Sequence, residues 1–137
     1  MRGTGPLARH WDDEGLLGLD LPRHSDLVAL WQAVLWADGY LKRSQIDCRY
    51  DESTVRAARV WQSNRGLPAD GIIGPDTFGK AGERLTRRRD AVYYEGAKFS
   101  VPFRRADDGR YLVEDGGRYK PLHRYRPTLD VCGKRPR

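Results

Sequence analysis

Residues 69–78, with the sequence ADGIIGPDTF, constrain the fold of this chain more than any other stretch. Gly71 and Gly74 permit turn conformations that a β-carbon would penalise. Pro75 has the backbone angle of a first helical turn, where its missing N–H costs nothing. Asp76 places a negative charge beside the unpaired N–H groups that begin a helix. The stretch therefore predicts a tight turn that leads into a helix starting at Pro75.

Two more helices are predicted upstream of this turn. The first lies over residues 25–39, because its apolar residues recur at the three- and four-residue spacing of one helix face. The second lies over residues 53–66 and closes on a glycine. The third, from Pro75, presents apolar residues as far as Leu85. Together they predict a compact three-helix unit of about sixty residues.

A weak internal repeat supports this arrangement. Residues 47–54, DCRYDEST, align with residues 70–77, DGIIGPDT, with Asp facing Asp and Thr facing Thr. Two copies of one loop-to-helix unit are therefore predicted. Cys48 and Asp51 stand where the second copy has glycine. We expect the first loop either to be less regular than the second or to be held by a contact of Cys48.

The longer string from Thr54 to Phe78, T-x-x-A-x-x-x-W-Q-x-x-x-G-L-x-A-D-G-I-I-G-P-x-T-F, resembles a known domain family. It is similar to the small peptidoglycan-binding domain found beside bacterial and phage cell-wall hydrolases, and the resemblance covers about residues 25–86. It implies a non-catalytic domain that binds peptidoglycan, or an associated anionic polymer, and anchors a partner enzyme to the wall.

Glycan and peptide polymers are usually held in shallow grooves by aromatic faces and hydrogen-bonding groups. Trp61 and Phe78 lie at core spacing, so we expect them mainly to pack. The candidate ligand-binding residues near the turn are Tyr40, Gln62, Asn64, Arg65, Asp76 and Phe78.

The positive charge is concentrated in the C-terminal part of the chain. Residues 86–137 hold 14 basic and 7 acidic residues, a net charge of +7, whereas residues 1–85 have a net charge of −1. Short alternating runs separated by Gly- and Asp-containing turns predict a small antiparallel β-meander that leans on the helices. The predicted strands are Ala91–Tyr94, Lys98–Phe103, Arg110–Val113 and Tyr119–Leu122.

These patterns predict an α+β fold in three regions. They are an N-terminal arm over 1–24, the peptidoglycan-binding-like domain over 25–86 and a basic, β-rich extension over 87–137.

The basic extension suggests an alternative function, which is polyanion or nucleic-acid binding with tyrosines stacked on bases. Nucleic acid ranks below a wall polymer or a protein neighbour, because alternation often places Arg and Tyr on solvent faces. A further alternative is a structural subunit of a phage virion or contractile injection apparatus. The candidate polyanion contacts are Arg87, Arg88, Arg89, Arg118, Lys120, Arg124 and Arg126.

The remaining reactive residues give no catalytic or metal site. His10, His24 and His123 are isolated from one another, so we expect no enzymatic activity and no cofactor. Cys48 and Cys132 lack metal-ligand spacing. They either pair, which suits an extracytoplasmic protein, or remain as two reduced buried thiols.

Export and membrane segments are not evident in the sequence. No apolar run is long enough to span a bilayer, and residues 1–10 lack the apolar stretch of a secretory signal. The protein is expected at the cell wall if a signal has been removed, and otherwise in a particle assembled from cytoplasmic protein.

Overall fold

The structure is a computed structural model, and it describes residues 24–88, 91–105, 111–115, 117–123 and 127–133. The predicted N-terminal arm lies outside the described residues except for His24. Arg89, Arg124 and Arg126 also lie outside them.

Three α-helices and one short 3-10 turn occupy residues 24–84: α1 Asp26–Ala37, the 3-10 turn Arg43–Gln45, α2 Glu52–Asn64 and α3 Pro75–Gly82. Ser25 caps α1, because its side chain accepts a hydrogen bond from the N–H of Val28. Pro75 begins α3, as the sequence predicts. Helix α1 is buried on almost every side, so the rest of the molecule is arranged around it.

The C-terminal part is a five-stranded antiparallel meander in which each strand pairs with the next along the chain. This confirms the predicted α+β class. The strands and the last helix are β1 Leu85–Arg88, β2 Ala91–Glu95, β3 Ser100–Arg105, β4 Tyr111–Asp115, β5 Arg118–Pro121 and α4 Asp130–Gly133.

Strand β1 corrects the sequence prediction, which placed Leu85 on the third helix and began the strands at residue 91. Helix α3 ends at Gly82, and Leu85 pairs with Tyr94 of β2. Gly79 and Gly82 weaken the end of the helix, and Leu85 still buries its side chain when it lies in a strand.

The prediction that Lys98 and Phe99 begin a strand is also wrong. Their N–H groups both donate to the carbonyl oxygen of Ala37 at the end of α1, at 2.8 and 3.0 Å. Gly96 lies so close to the same carbonyl that a β-carbon would collide with it. The β2–β3 turn is therefore docked on α1 instead of extending the sheet.

Two buried carboxylates, one at each end of α1, join the helix to the C-terminal part. Asp26 accepts from the N–H groups of His123 and Thr128, at 2.9 and 2.6 Å. Asp38 accepts from the N–H of Ala97 at 2.8 Å. The meander and the segment after it thus pack on α1 through specific hydrogen bonds as well as apolar contacts.

Cys48 and Cys132 form a disulfide, with a Cα–Cα distance of 5.2 Å. Of the two alternatives that the sequence leaves open, the structure therefore contains the paired form. The bond links the loop before α2 to α4 across 84 positions of sequence. Within the described ranges, no helix is long and apolar enough to cross a membrane.

Candidate functional site

Gln62, near the end of α2, organises the loop that precedes α3. Its side-chain nitrogen donates to the Asp70 carboxylate at 3.2 Å, the Ile72 carbonyl at 3.0 Å and the Thr77 hydroxyl at 3.1 Å. Its oxygen accepts from the N–H of Gly71 at 2.9 Å. The whole amide is used to fix the loop.

Gln32 makes the same set of bonds on α1. Its side-chain nitrogen donates to the Asp47 carboxylate at 3.1 Å, the Arg49 carbonyl at 2.9 Å and the Thr54 hydroxyl at 2.9 Å. Its oxygen accepts from the N–H groups of Asp47 and Cys48, at 3.0 and 2.9 Å. Each partner of the Gln32 nitrogen occupies the position that the internal repeat aligns with a partner of Gln62.

The two loops also share a left-handed backbone residue. The φ angle is 70° at Cys48 and 74° at Gly71. The expectation of a less regular first loop is therefore wrong, and the alternative, a loop held by a contact of Cys48, is what the structure contains. The sequence does hold a further indication of the duplication, because a Trp-Gln pair precedes each loop, at residues 31–32 and 61–62.

Two of the predicted ligand-binding residues do not lie on the surface. Gln62 is 1% exposed, because its amide is enclosed by the loop it fixes. Phe78 is fully buried and packs edge-on against Trp31, with ring centroids 6.0 Å apart. Asp76 is exposed on the first turn of α3, at the opposite end of that helix from the pocket described next.

The other three predicted residues come together where α2 ends. The side-chain nitrogen of Asn64 donates to the Tyr40 hydroxyl at 2.7 Å, and Arg65 follows in sequence. A shallow cavity of about 370 Å³ opens beside them, which we call the α2–α3 pocket. The described residues that line it are Asn64, Arg65, Lys80, Glu83 and Arg84.

Arg65, one of the lining residues, is held by several contacts. Its guanidinium lies over the Trp61 ring, 4.2 Å from the centroid, and 3.3 Å from the carboxylate of Asp38. The same carboxylate oxygen accepts from the Trp61 indole at 2.7 Å and from the Tyr94 hydroxyl at 2.6 Å. Burial and the hydrogen bond to Asp38 both raise the pKa of Tyr94, so its hydroxyl remains a donor.

Sequence reasoning missed the three pocket residues at the end of α3. Lys80 and Glu83 form a loose pair at 3.7 Å, and their side chains are 41% and 60% exposed. Such a pair contributes little to stability. Arg84 donates to the carbonyl oxygen of Glu95 at 3.2 Å. The only indication in the sequence was the position of these residues after the predicted turn.

Most described cations of the sheet have partners within the protein. Arg88 pairs with Glu95, and the hydrogen bond from Ser100 is the main reason why the pKa of Glu95 is lowered. Lys120 lies 2.8 Å from Asp115 and 3.2 Å from Asp130.

The guanidinium groups of Arg88 and Arg104 lie over Tyr93 and Tyr119, about 5 Å from the ring centroids. Of the predicted polyanion contacts that the structure describes, Arg87 and Arg118 are exposed.

A larger groove of about 1290 Å³ runs between α1 and the sheet. Its walls are mainly apolar, and Trp36 lies on one side of it. The Trp36 ring stacks on Phe99, with centroids 4.4 Å apart and an interplanar angle of 1°, and Arg43 lies over the Trp36 ring. Phe99 is 47% exposed, so the stacked pair of Trp36 and Phe99 presents an aromatic surface to solvent.

Within the described ranges, no group of three or more His, Cys, Asp or Glu side chains is arranged so that it could hold a metal ion.

Residues 24–80 match the family model described as "Putative peptidoglycan binding domain". The match confirms the resemblance and places it on α1, α2 and most of α3. It indicates peptidoglycan binding in general. No curated protein and no solved structure matches the chain.

Proposed function

We propose that this chain is a non-catalytic protein that binds peptidoglycan through the α2–α3 pocket and so holds a partner at the bacterial cell wall. The observation that supports this most is the position of the pocket. It opens where α2 and α3 end, and these helices flank the second loop of the segment that matches the peptidoglycan-binding family.

The chemistry of the pocket suits a wall polymer. Asn64, held by the Tyr40 hydroxyl, supplies an amide on one side, and Arg65 supplies a fixed guanidinium. A binding site needs a few polar groups whose orientation is set before the ligand arrives. The Asn64–Tyr40 hydrogen bond and the Arg65 contacts with Trp61 and Asp38 fix those groups in advance.

The test is retention of the purified protein on isolated sacculi. We expect the wild-type chain to be retained and Arg84→Ala to weaken binding by about tenfold, the usual effect of losing a hydrogen bond to a charged group. Arg87→Ala is the matched control, since it removes the same charge from an exposed site three residues away. It should bind like the wild type.

The two variants also separate this function from polyanion binding. If Arg87→Ala weakens binding as much as Arg84→Ala, the basic surface of the sheet is responsible and the pocket is not. A steep loss of binding with rising salt would favour the same conclusion. Failure of the wild-type chain to bind sacculi at all would contradict the proposal.

The absence of catalysis is tested on the same material. Sacculi incubated with the protein should release no more soluble muropeptide than sacculi in buffer. Release above that level would contradict the non-catalytic assignment. The role in a virion or injection apparatus stays a prediction from the sequence.

A further inference from the structure

The balance of charge in the α2–α3 pocket differs from that of the sheet. Arg65 faces the Asp38 carboxylate, and Lys80 faces Glu83. Among the described residues, the side-chain hydrogen bond of Arg84 goes to a neutral acceptor, the carbonyl oxygen of Glu95. Three cations therefore meet two carboxylates, and one positive charge is left without a counterion.

Two of the sheet cations where binding was expected, Arg88 and Lys120, are already neutralised, whereas Arg87 and Arg118 are exposed on the open surface and not in a pocket. Lys120 lies between two carboxylates, and Arg88 is paired with Glu95. A ligand would have to displace these partners before it could bind either side chain. A ligand that enters the α2–α3 pocket has to displace only Glu83 from Lys80. This exposed pair, at 3.7 Å, contributes little to stability.

The size of the pocket limits what can enter. At about 370 Å³ it lies at the small end of ligand-binding cavities, so it suits a chain end and not a stretch of polymer. Arg guanidinium groups match a carboxylate through two parallel hydrogen bonds. Asn64 adds an amide, which can bond to a neighbouring peptide group.

We propose that the α2–α3 pocket binds a single free carboxylate of the peptidoglycan stem peptide, an inference that rests on the proposed function. Arg84 supplies the uncompensated charge, and Lys80 turns from Glu83 to the ligand. Arg65 is a positioning residue, because Asp38 already neutralises it and Trp61 fixes its plane. The glycan strand lies outside the pocket.

The test compares two soluble muropeptides that differ only in whether the stem-peptide carboxylates are free or amidated. Titration calorimetry with the full chain should give at least about tenfold tighter binding of the free acid. Arg84→Ala should bind both ligands with similar, weak affinity. Arg87→Ala should keep the full preference. Urea unfolding of each variant shows whether it is folded before the titration.

Each outcome has a separate meaning. Equal affinity of the wild-type chain for the two muropeptides would overturn the carboxylate proposal, and so would retention on sacculi without binding of either muropeptide. In both cases peptidoglycan binding itself would stand. Absence of binding to sacculi would remove the proposed function, and the carboxylate proposal with it. Since the ligand pair is compared on the wild-type chain, the carboxylate proposal can be overturned without any variant. A folded Arg84→Ala that keeps the full preference would overturn the assignment of the uncompensated charge to Arg84.

Discussion

The loops that precede α2 and α3 have the same internal hydrogen bonds, but only the first is tied to the C-terminal part by a disulfide. In each, a glutamine on the preceding helix binds an Asp, a carbonyl and a Thr hydroxyl. Cys48 is fully buried, and its carbonyl accepts from the N–H of Ser25 at 3.1 Å. Gly71 is buried as well, and its carbonyl accepts from the Tyr50 hydroxyl at 2.5 Å.

The difference between the loops lies in what occupies the left-handed position. Glycine adopts this conformation without strain, so the second loop needs no covalent bond at this position. Cysteine is strained there, but Cys48 gains a covalent bond to Cys132. One copy of the unit thus fastens the C-terminal part of the chain, and the other begins α3, whose far end lines the α2–α3 pocket.

The largest effect should come from breaking the disulfide. A bond that spans 84 positions stabilises the folded state by about 4.5 kcal/mol in the chain-entropy model. Urea unfolding with and without reductant measures it. We expect the reduced protein, where still folded, to keep its binding to sacculi, since the pocket is lined by the ends of α2 and α3. A loss under about 1 kcal/mol would show that the first loop does not depend on the bond.

Removal of the two glutamines compares the loops directly. Gln32→Leu leaves the N–H groups of Asp47 and Cys48 without an acceptor, whereas Gln62→Leu leaves only that of Gly71. We expect losses in unfolding free energy of about 3 and about 2 kcal/mol, respectively. Chemical denaturation of the two variants and the wild type measures both losses. The reverse order would mean that the disulfide holds the first loop without help from Gln32.

The left-handed position itself has a smaller effect. In a Cys132→Ala background, Cys48→Gly should be more stable than Cys48→Ala by about 1 kcal/mol, because it relieves the strain at a φ of 70°. Gly71→Ala should lose a similar amount relative to the wild type, and its β-carbon would also press on Val55 at 3.3 Å. Thermal unfolding of the four proteins gives both differences. Equal stability of the two variants at position 48 would contradict the strain argument.

The smallest effect concerns pH and the attachment of α4, which holds Cys132. Burial acts to raise the pKa of Asp115, but hydrogen bonds from Lys120 and the N–H of Asp130 outweigh it and lower the pKa. Asp115 therefore stabilises the fold above its unfolded pKa, near about 4, and this contribution is lost as the pH falls through the folded value.

Asp115→Asn should accordingly show a smaller decrease in thermal midpoint on acidification than the wild type, by a few degrees. Glu114→Gln is the control, because it removes an acid from the neighbouring position. If the two variants respond to acid in the same way, the Asp115 contacts do not contribute.

The sequence predicted the helices and the second loop well, because Ser25, Pro75 and the glycines act locally. It failed at β1 because the spacing of Leu85 from Phe78 and Ala81 suits a helix face, while the pairing with Tyr94 depends on distant sequence. The α2–α3 pocket escaped prediction for a similar reason. Lys80 and Arg84 meet Asn64 only after the loop between the two helices has folded.

Gln62 shows a second reason why the sequence mispredicts a site residue. A polar residue beside a turn looks the same in sequence whether it faces solvent or fixes the turn from inside. Only the matching Trp-Gln pair at residues 31–32 indicates the inner role, because two unrelated ligand sites would not require the same dipeptide.

The two carboxylates of α1 bear on how this module can be exchanged between proteins. The segment that matches the family ends at residue 80, yet His123 and Thr128, which donate to Asp26, and Ala97, which donates to Asp38, lie beyond it. A graft of residues 24–80 onto another protein would leave Asp26 without these donors, at a cost of several kcal/mol wherever the carboxylate stays buried, whereas Asp38 would keep Trp61 and Arg65. The segment that can be transplanted with its hydrogen bonds intact is thus longer than the segment that matches the family.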